Sequence, residues 1–284
     1  MNGFINVFKP EGMSSAYCAG LVKRKFHLPC GHMGTLDPLA SGVLPVGVGQ
    51  ASRLFRFLTE KRKTYVAEFT FGSETDTLDK GGAVVKSGGR VPDFGQIEEI
   101  LPSFVGKILQ TPPKFSAKCV NGRRGYQLAR EGKEFELMPK EVEIFSLSAE
   151  RTERADTFRF VAECGGGTYI RSLCRDVAEK CGTFATMTKL VRTRSGVFTA
   201  ENAVSYDELK ESDAPERYLL PSDETVQFEK LILSAKQAAR LLNGLYDEYP
   251  RPSGLYRVYN EKEFWGVGEI GNGGVLKMLA YVRG

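Results

Sequence analysis

Residues 64–72 read TYVAEFTFG, with Tyr65, Ala67, Phe69 and Phe71 on one side of the alternation and Val66, Glu68 and Thr70 on the other. A two-residue period of this length fits a strand with one face against a core and excludes an amphipathic helix. TFRFVAEC repeats the pattern, setting Phe158, Phe160, Ala162 and Cys164 against Arg159, Val161 and Glu163. EVEIFSLSAE reads as a third strand, and FINVFKP as a short one that Pro10 stops.

Between these lie helical patterns. SSAYCAGLVKRKFH has Ser14 or Ser15 as a cap and Cys18, Leu21, Val22 and Phe26 at helical spacing, with Lys23, Arg24 and Lys25 facing outward. DFGQIEEILPSF predicts a short helix burying Ile97, Ile100, Leu101 and Phe104. GGGTYIRSLCRDVAEKCG turns on three glycines into a helix with Ile170, Leu173, Cys174, Val177 and Ala178 inward and Gly182 at its end. SETDTLDKGGAVVKSGG is polar and turn-rich and predicts an exposed loop with a brief strand at 83–85. The pattern lapses between Asp213 and Glu229, a plausible boundary. Beyond it, SAKQAARLLNG predicts a small helix, and GLYRVY, EFWGVGEI and VLKMLAYVR predict strands joined by Gly and Asn turns.

The 284 residues carry a net charge of +4, too little by itself to imply nucleic acid. Clustering says more. Between Lys114 and Lys133 stand Lys114, Lys118, Arg123, Arg124, Arg130 and Lys133 against the single acid Glu131, with Phe115 and Tyr126 interleaved. In a Pro-bounded, Gly-containing excursion this is a shape suited to gripping phosphates. Lys61, Arg62 and Lys63 stand just before Tyr65, and Arg192 and Arg194 follow Leu190. The N-terminus has neither a basic region nor the apolar run of a secretory signal, and no stretch approaches the roughly 18 apolar residues of a membrane span. The six cysteines lack framework spacing and read as reduced thiols of a cytoplasmic protein.

The densest punctuation surrounds one acid. GHMGTLDPLASGVLPVGVGQASRL, read as a loop, places Asp37 between Gly34 and Gly42, ahead of Pro38 and five residues after His32. One reading is an Asp–Pro turn whose carboxylate bonds local N–H groups. The other is a rigid loop that presents a carboxylate and an imidazole to a ligand approaching the backbone closely. Arg171 opens a helix, where a cation is disfavoured; it either serves a partner carboxylate or phosphate, with Asp37 a candidate, or is simply an exposed arginine. GVGQAS lacks the third glycine of a dinucleotide fingerprint, and His27, Cys30, His32 and Cys18 match no zinc spacing.

GHMGTLDPLASGVL resembles the signature loop of the TruB family of tRNA pseudouridine synthases. KTYVAEFTFGSETDTLD, TPPKFSAKCVNGRRGYQLAREG, GGGTYIRSLCRDVAEKCG and MTKLVRTRSG stand in that family's order. The resemblance implies an α+β fold, with a mixed, mainly antiparallel sheet flanked by helices. It implies a catalytic domain over 1–227, including an RNA-gripping arm at about 112–140, and a small β-rich PUA-like RNA-binding domain over 228–284.

The implied activity is isomerisation of the T-loop uridine of tRNA, uridine-55, to pseudouridine by an isomerase that needs no cofactor or metal. Its partner is the T-arm stem-loop, with no membrane and no obligate protein partner. By position Asp37 matches the nucleophile, Tyr65 the tyrosine packed on the target base, and Arg171 the arginine paired with the carboxylate. Leu190 matches the aliphatic residue under the base, and His32 the histidine that fills in as the uridine flips out. Lys63, Arg123, Arg124, Arg130 and Arg192 stand as further RNA contacts. The family's lysine usually follows Ser-Ala-x, whereas here Lys118 precedes Cys119, which puts one phosphate contact in doubt. The competing reading is a non-catalytic RNA-binding protein or tRNA folding chaperone.

Overall fold

The computed structural model describes residues 1–58, 61–116, 118–120, 122–245, 247–261 and 263–282, apart from the side chains of Cys119, Val120 and Arg124. The chain divides into two compact units. One gathers Met1–Pro38, Gly42–Glu60 and Ser195–Gly284; the other gathers Leu39–Ser41 and Lys61–Arg194.

The first unit is built on strand Gly3–Lys9, apolar on both faces and buried along almost all its length. It pairs antiparallel with Ser41–Val48, in a register running from Gly3 opposite Val48 to Lys9 opposite Gly42. It also pairs antiparallel with Leu220–Pro221 and parallel with Val204–Ser205. Cys30–His32 adds antiparallel to Ser41–Val48. The stretch read as loop from Gly31 therefore contains two strands. Pro45 lies inside the second, opposite Asn6. A strand accepts proline where the ladder does not call on its amide. The helix Ser15–Phe26 starts where expected, with the Ser14 hydroxyl accepting from the Tyr17 amide at 3.1 Å.

The C-terminal strands form a four-stranded sheet in the order Glu229–Leu233, Gly254–Asn260, Glu263–Ile270 and Leu276–Tyr281. Its first strand, which the sequence pattern did not reveal, runs parallel to the second. Leu233, Val258, Trp265 and Ile270 pack into a core of its own beneath helix Ala235–Leu242. A second core joins Val267, Ala280 and Val282 to Phe4, Leu54 and Phe57. The Asn2 side chain donates to the Val282 carbonyl at 2.5 Å, and Arg56 to that of Leu279 at 2.6 Å. The two ends of the chain thus share one interior.

In the second unit the alternating strands associate antiparallel: Lys63–Phe71 with Thr157–Cys164, that strand with Lys140–Arg151, and the last with Gly106–Gln110. Ala185–Ser195 flanks the other side of Lys63–Phe71. The buried row of Lys63–Phe71 begins at Tyr65, and Phe69 stacks on Phe160 with centroids 4.2 Å apart. Helix Ile170–Lys180 buries the face expected of it, Ile170, Leu173, Cys174, Val177 and Ala178, whereas Phe94–Ile100 buries Ile97 and leaves Ile100 half-buried, Leu101 and Phe104 being buried from the tighter turn that follows. The polar loop after Gly72 forms the hairpin Ser73–Thr75 with Val84–Ser87. Among the described residues no helix is long and apolar enough to cross a membrane.

Candidate active site

The first unit holds Asp37 and His32, each half-buried. The Asp37 loop is gripped on both sides of the acid. The Ser15 hydroxyl donates to the Leu36 carbonyl at 2.8 Å, and the Leu36 amide donates back to it at 2.8 Å. The Pro38 carbonyl accepts from the Gly12 amide at 2.7 Å. Lys9, fully buried, aims its ammonium at the carbonyls of Met13 at 2.6 Å, Pro10 at 2.8 Å and Pro38 at 3.4 Å. Leu36 anchors the loop in the core. Gly34 at φ +82° and Gly42 at φ +110° occupy backbone conformations that a side chain strains. A segment with a buried anchor, pinned carbonyls and left-handed glycines has little freedom, so the carboxylate between them is held in place.

The second unit holds Tyr65, Lys63, Leu190, Arg192 and Arg171. The Thr193 hydroxyl donates to the Thr64 carbonyl at 3.3 Å and the Thr188 hydroxyl to that of Glu68 at 3.2 Å. This antiparallel offset sets Arg192 beside the start of Lys63–Phe71 and Leu190 beside its middle. Tyr65 and Leu190 are 7% and 6% exposed, and Arg192 is fully buried. Tyr65 lies opposite Ala162, and Lys63 opposite Cys164. Burial, then the charge of Arg192, holds the Lys63 ammonium down to about 8, with Cys164 opposing. The sheet therefore brings a tyrosine, a leucine and two cations to neighbouring positions on two adjacent strands.

Arg171, 5% exposed, is the second residue of its helix. It does not face solvent. Its guanidinium donates to the Thr77 carbonyl at 3.0 Å and the Phe115 carbonyl at 3.0 Å, and lies 3.8 Å from the Asp79 carboxylate. Asp79 is oriented in turn, accepting from the Thr77 hydroxyl at 2.8 Å and the Gly81 amide at 3.0 Å. The Gln110 side chain seats the helix start, accepting from the Tyr169 amide at 2.8 Å and donating to its carbonyl at 3.2 Å. Arg171 thus ties the loop at 77–79 to the base of the basic excursion.

That excursion contains the hairpin Cys119–Val120 with Arg123–Arg124 and the short helix Gly125–Arg130. Glu131 bonds both Arg123 and Lys133, and the two cations hold its carboxyl down to about 2. Arg130 lies 5.7 Å from the Tyr126 ring. Lys118 precedes the hairpin and reaches the Met138 carbonyl at 3.4 Å. The Arg124 side chain lies outside the described residues.

Sequence reasoning missed two residues, Lys9 and Asp79. Lys9 reads as the polar end of a strand, and only its burial reveals the three carbonyls it serves. Asp79 sits in a polar loop among other acids, and no spacing marks it as the neighbour of Arg171.

Two family models match the chain: TruB family pseudouridylate synthase, N-terminal domain, over residues 23–170, and tRNA pseudouridylate synthase B C-terminal domain, over residues 171–227. Among curated relatives, the tRNA pseudouridine synthase B of Aquifex aeolicus is 38% identical over 282 residues, covering 97% of this chain and 98% of the relative. That of Alkaliphilus oremlandii is 37% identical, covering 96% and 94%. A chain in a structure of an H/ACA RNP bound to a substrate RNA containing 2'-deoxyuridine is 20% identical and superimposes with a TM-score of 0.71, covering 99% of this chain and 85% of that one. A chain of the archaeal box H/ACA sRNP Nop10-Cbf5 complex gives 0.69 at 23% identity, covering 99% and 86%. Both share the α+β fold described above.

Proposed function

The chain belongs to the TruB family of pseudouridylate synthases, and from that membership we propose that it isomerises the T-loop uridine of tRNA, uridine-55, to pseudouridine. It is an isomerase acting on tRNA uridine. The observation that carries the finer reading is the grip on Asp37, whose loop carries the family signature and is bonded at Leu36 and at Pro38. Chemistry at a sugar carbon needs a carboxylate that does not wander.

The reaction breaks the N-glycosidic bond, turns the uracil over and joins C5 to the ribose C1′. The proton on C5 leaves, and N1 regains one. The target is inaccessible in a stacked loop, so the nucleotide is everted, at a cost of a few kcal/mol. Stacking on Tyr65, packing on Leu190 and entry of His32 into the vacated space offset that cost. Asp37 attacks carbon or stabilises cationic character at C1′, dividing one hard step into easier ones. By family position Arg171 takes the role of the arginine that aims that carboxylate. Tyr65 stands over the base as the group to relay the C5 proton.

Residues 1–227 carry this chemistry in the proposed scheme, with the arm at about 112–140 gripping the T-arm stem-loop through Arg123, Arg124 and Arg130. Lys63 takes an RNA phosphate, whereas Arg192 is fully buried and so does not take the phosphate expected of it, and residues 228–284 act as a PUA-like RNA-binding segment. The enzyme works in the cytoplasm without an obligate protein partner. The test is incubation with an unmodified tRNA transcript and with a T-arm minihelix, followed by mass mapping of the uridines. Pseudouridine at the T-loop position of both is expected. Its appearance elsewhere, or its absence from both, would overturn the assignment.

A further inference from the structure

The helix Ser15–Phe26 carries a surface feature that the reaction scheme does not use. Tyr17 is 57% exposed, although it stands in the first turn of a helix that anchors the Asp37 loop. Its ring stacks on that of Tyr206, at 6.4 Å between centroids and 26° between planes. Tyr206 is only 8% exposed and opens the helix Tyr206–Glu211. One ring is therefore embedded, and the other lies on it with more than half its surface in water. Burial, then the Tyr17 hydroxyl bonded to it, pushes the Tyr206 phenol up, while Arg24 draws it back.

Arg24 belongs to the same face. Residues 17, 20 and 24 follow one another up the helix at its surface spacing. Position 20 is glycine, and the Arg24 guanidinium lies over it, with Nη1 3.5 Å from where a β-carbon would stand. The helix thus presents a flat aromatic ring and, across the glycine step, a planar cation, with exposed Lys23 alongside. Lys25 is committed elsewhere, to the Ser212 carbonyl at 2.8 Å. On the neighbouring elements, Glu208 accepts the Tyr218 hydroxyl at 2.7 Å.

A half-exposed tyrosine contributes little to a core. What it offers is a rigid π-face, and its helix cap and its partner ring both fix it. Rings fixed beside arginine and lysine are the elements that bind unpaired nucleotides, by stacking and phosphate contact. We propose that Tyr17, backed by Tyr206 and flanked by Arg24 and Lys23, is a stacking platform for an unpaired nucleobase of the tRNA substrate other than the target uridine. The proposal rests on the reading of tRNA as substrate. Continuity favours that occupant: Ser15, two residues before Tyr17, is bonded to Leu36 beside Asp37.

The experiment compares Tyr17→Ala and Tyr17→Phe with the unaltered protein, using a full-length tRNA transcript and the T-arm minihelix. Alanine suits an exposed helix position, and the melting temperature checks that the fold holds. The platform requires Tyr17→Ala to raise Kd and KM for tRNA about tenfold, with kcat moved less than twofold, and Tyr17→Phe to stay within about twofold throughout. Ultraviolet crosslinking of the unaltered protein to tRNA, read by mass spectrometry, is expected to place a nucleotide on the peptide containing Tyr17. Unchanged Kd and KM in Tyr17→Ala, or crosslinks confined to the arm, would overturn the platform. Lost affinity in Tyr17→Ala, from a protein that makes no pseudouridine at the T-loop position, would leave the platform standing and remove the assigned reaction instead.

Discussion

Ser15 and Leu36 exchange two hydrogen bonds, each of 2.8 Å, so that one buried hydroxyl satisfies both the carbonyl and the amide of the residue preceding Asp37. Removing that hydroxyl leaves two buried backbone groups without a partner. Ser15→Ala is therefore expected to lower stability by about 1–3 kcal/mol. It is also expected to reduce kcat more than tRNA affinity, because the loop that loses its clamp is the one that aims the carboxylate. Denaturant unfolding checks the first expectation, and single-turnover kinetics beside filter binding checks the second.

Asp37→Asn preserves size and loop contacts but removes the charge. Pseudouridine formation is expected to vanish, with tRNA binding within a few-fold of the unaltered protein. Mass mapping of tRNA after long incubation decides it. Turnover retained in this variant would remove Asp37 from its assigned role, and the same pair of measurements separates an enzyme from an RNA-binding chaperone.

The Arg171 guanidinium serves two carbonyls and the Asp79 carboxylate at once. A lysine has one nitrogen and cannot span that set. Arg171→Lys is expected to cost about 1–3 kcal/mol from the carbonyl left unbonded and to depress kcat at least tenfold at saturating tRNA. Equal kcat in the lysine variant would show that the fork is not needed.

Lys63 supplies a pH dependence. Its folded pKa, held down to about 8, lies below that of the unfolded chain. Between the two values the unfolded chain binds the extra proton, so this group makes stability rise with pH from about 8 upward. The RNA contact proposed for it has the opposite sign: a neutral amine holds no phosphate, so affinity is expected to fall as pH passes upward through the same region. Lys63→Met should flatten that limb of the Kd–pH profile. A limb that persists in the variant belongs to another group.

Glu131 occupies Arg123 and Lys133 in the arm. The pairs are surface-exposed, so Glu131→Gln is expected to leave stability almost unchanged. It frees two cations for phosphate. The slope of log Kd against log salt for a T-arm stem should steepen by about 0.9 for each additional phosphate that these cations neutralise. An unchanged slope would show that the arm does not exchange Glu131 for RNA.

Much of this molecule could be read locally. Alternation located Lys63–Phe71 and Thr157–Cys164, a serine cap located Ser15–Phe26, and the glycines around Asp37 marked a constrained loop. Those signals come from neighbours in the chain, and the period of a strand or the left-handed backbone of a turn needs nothing further. The strand Ser41–Val48 escaped notice because Pro45 reads as a breaker, and only the pairing along Gly3–Lys9 reveals a strand there. The strand Glu229–Leu233 is short and pairs parallel with a strand beyond an intervening helix, leaving no local trace.

The sequence alone carried the motifs of the family, the place of Asp37 inside the signature loop and the presence of a basic excursion, since motif residues and their order are properties of the chain. Tertiary structure alone decided that Lys9 serves the carbonyl of Pro38, that Arg171 lies beside Asp79, and that Val282 shares a core with Phe4. Each of these pairs is brought together by burial of apolar surface across long stretches of chain. That force has no direction and no period, so it leaves no pattern in the order of residues.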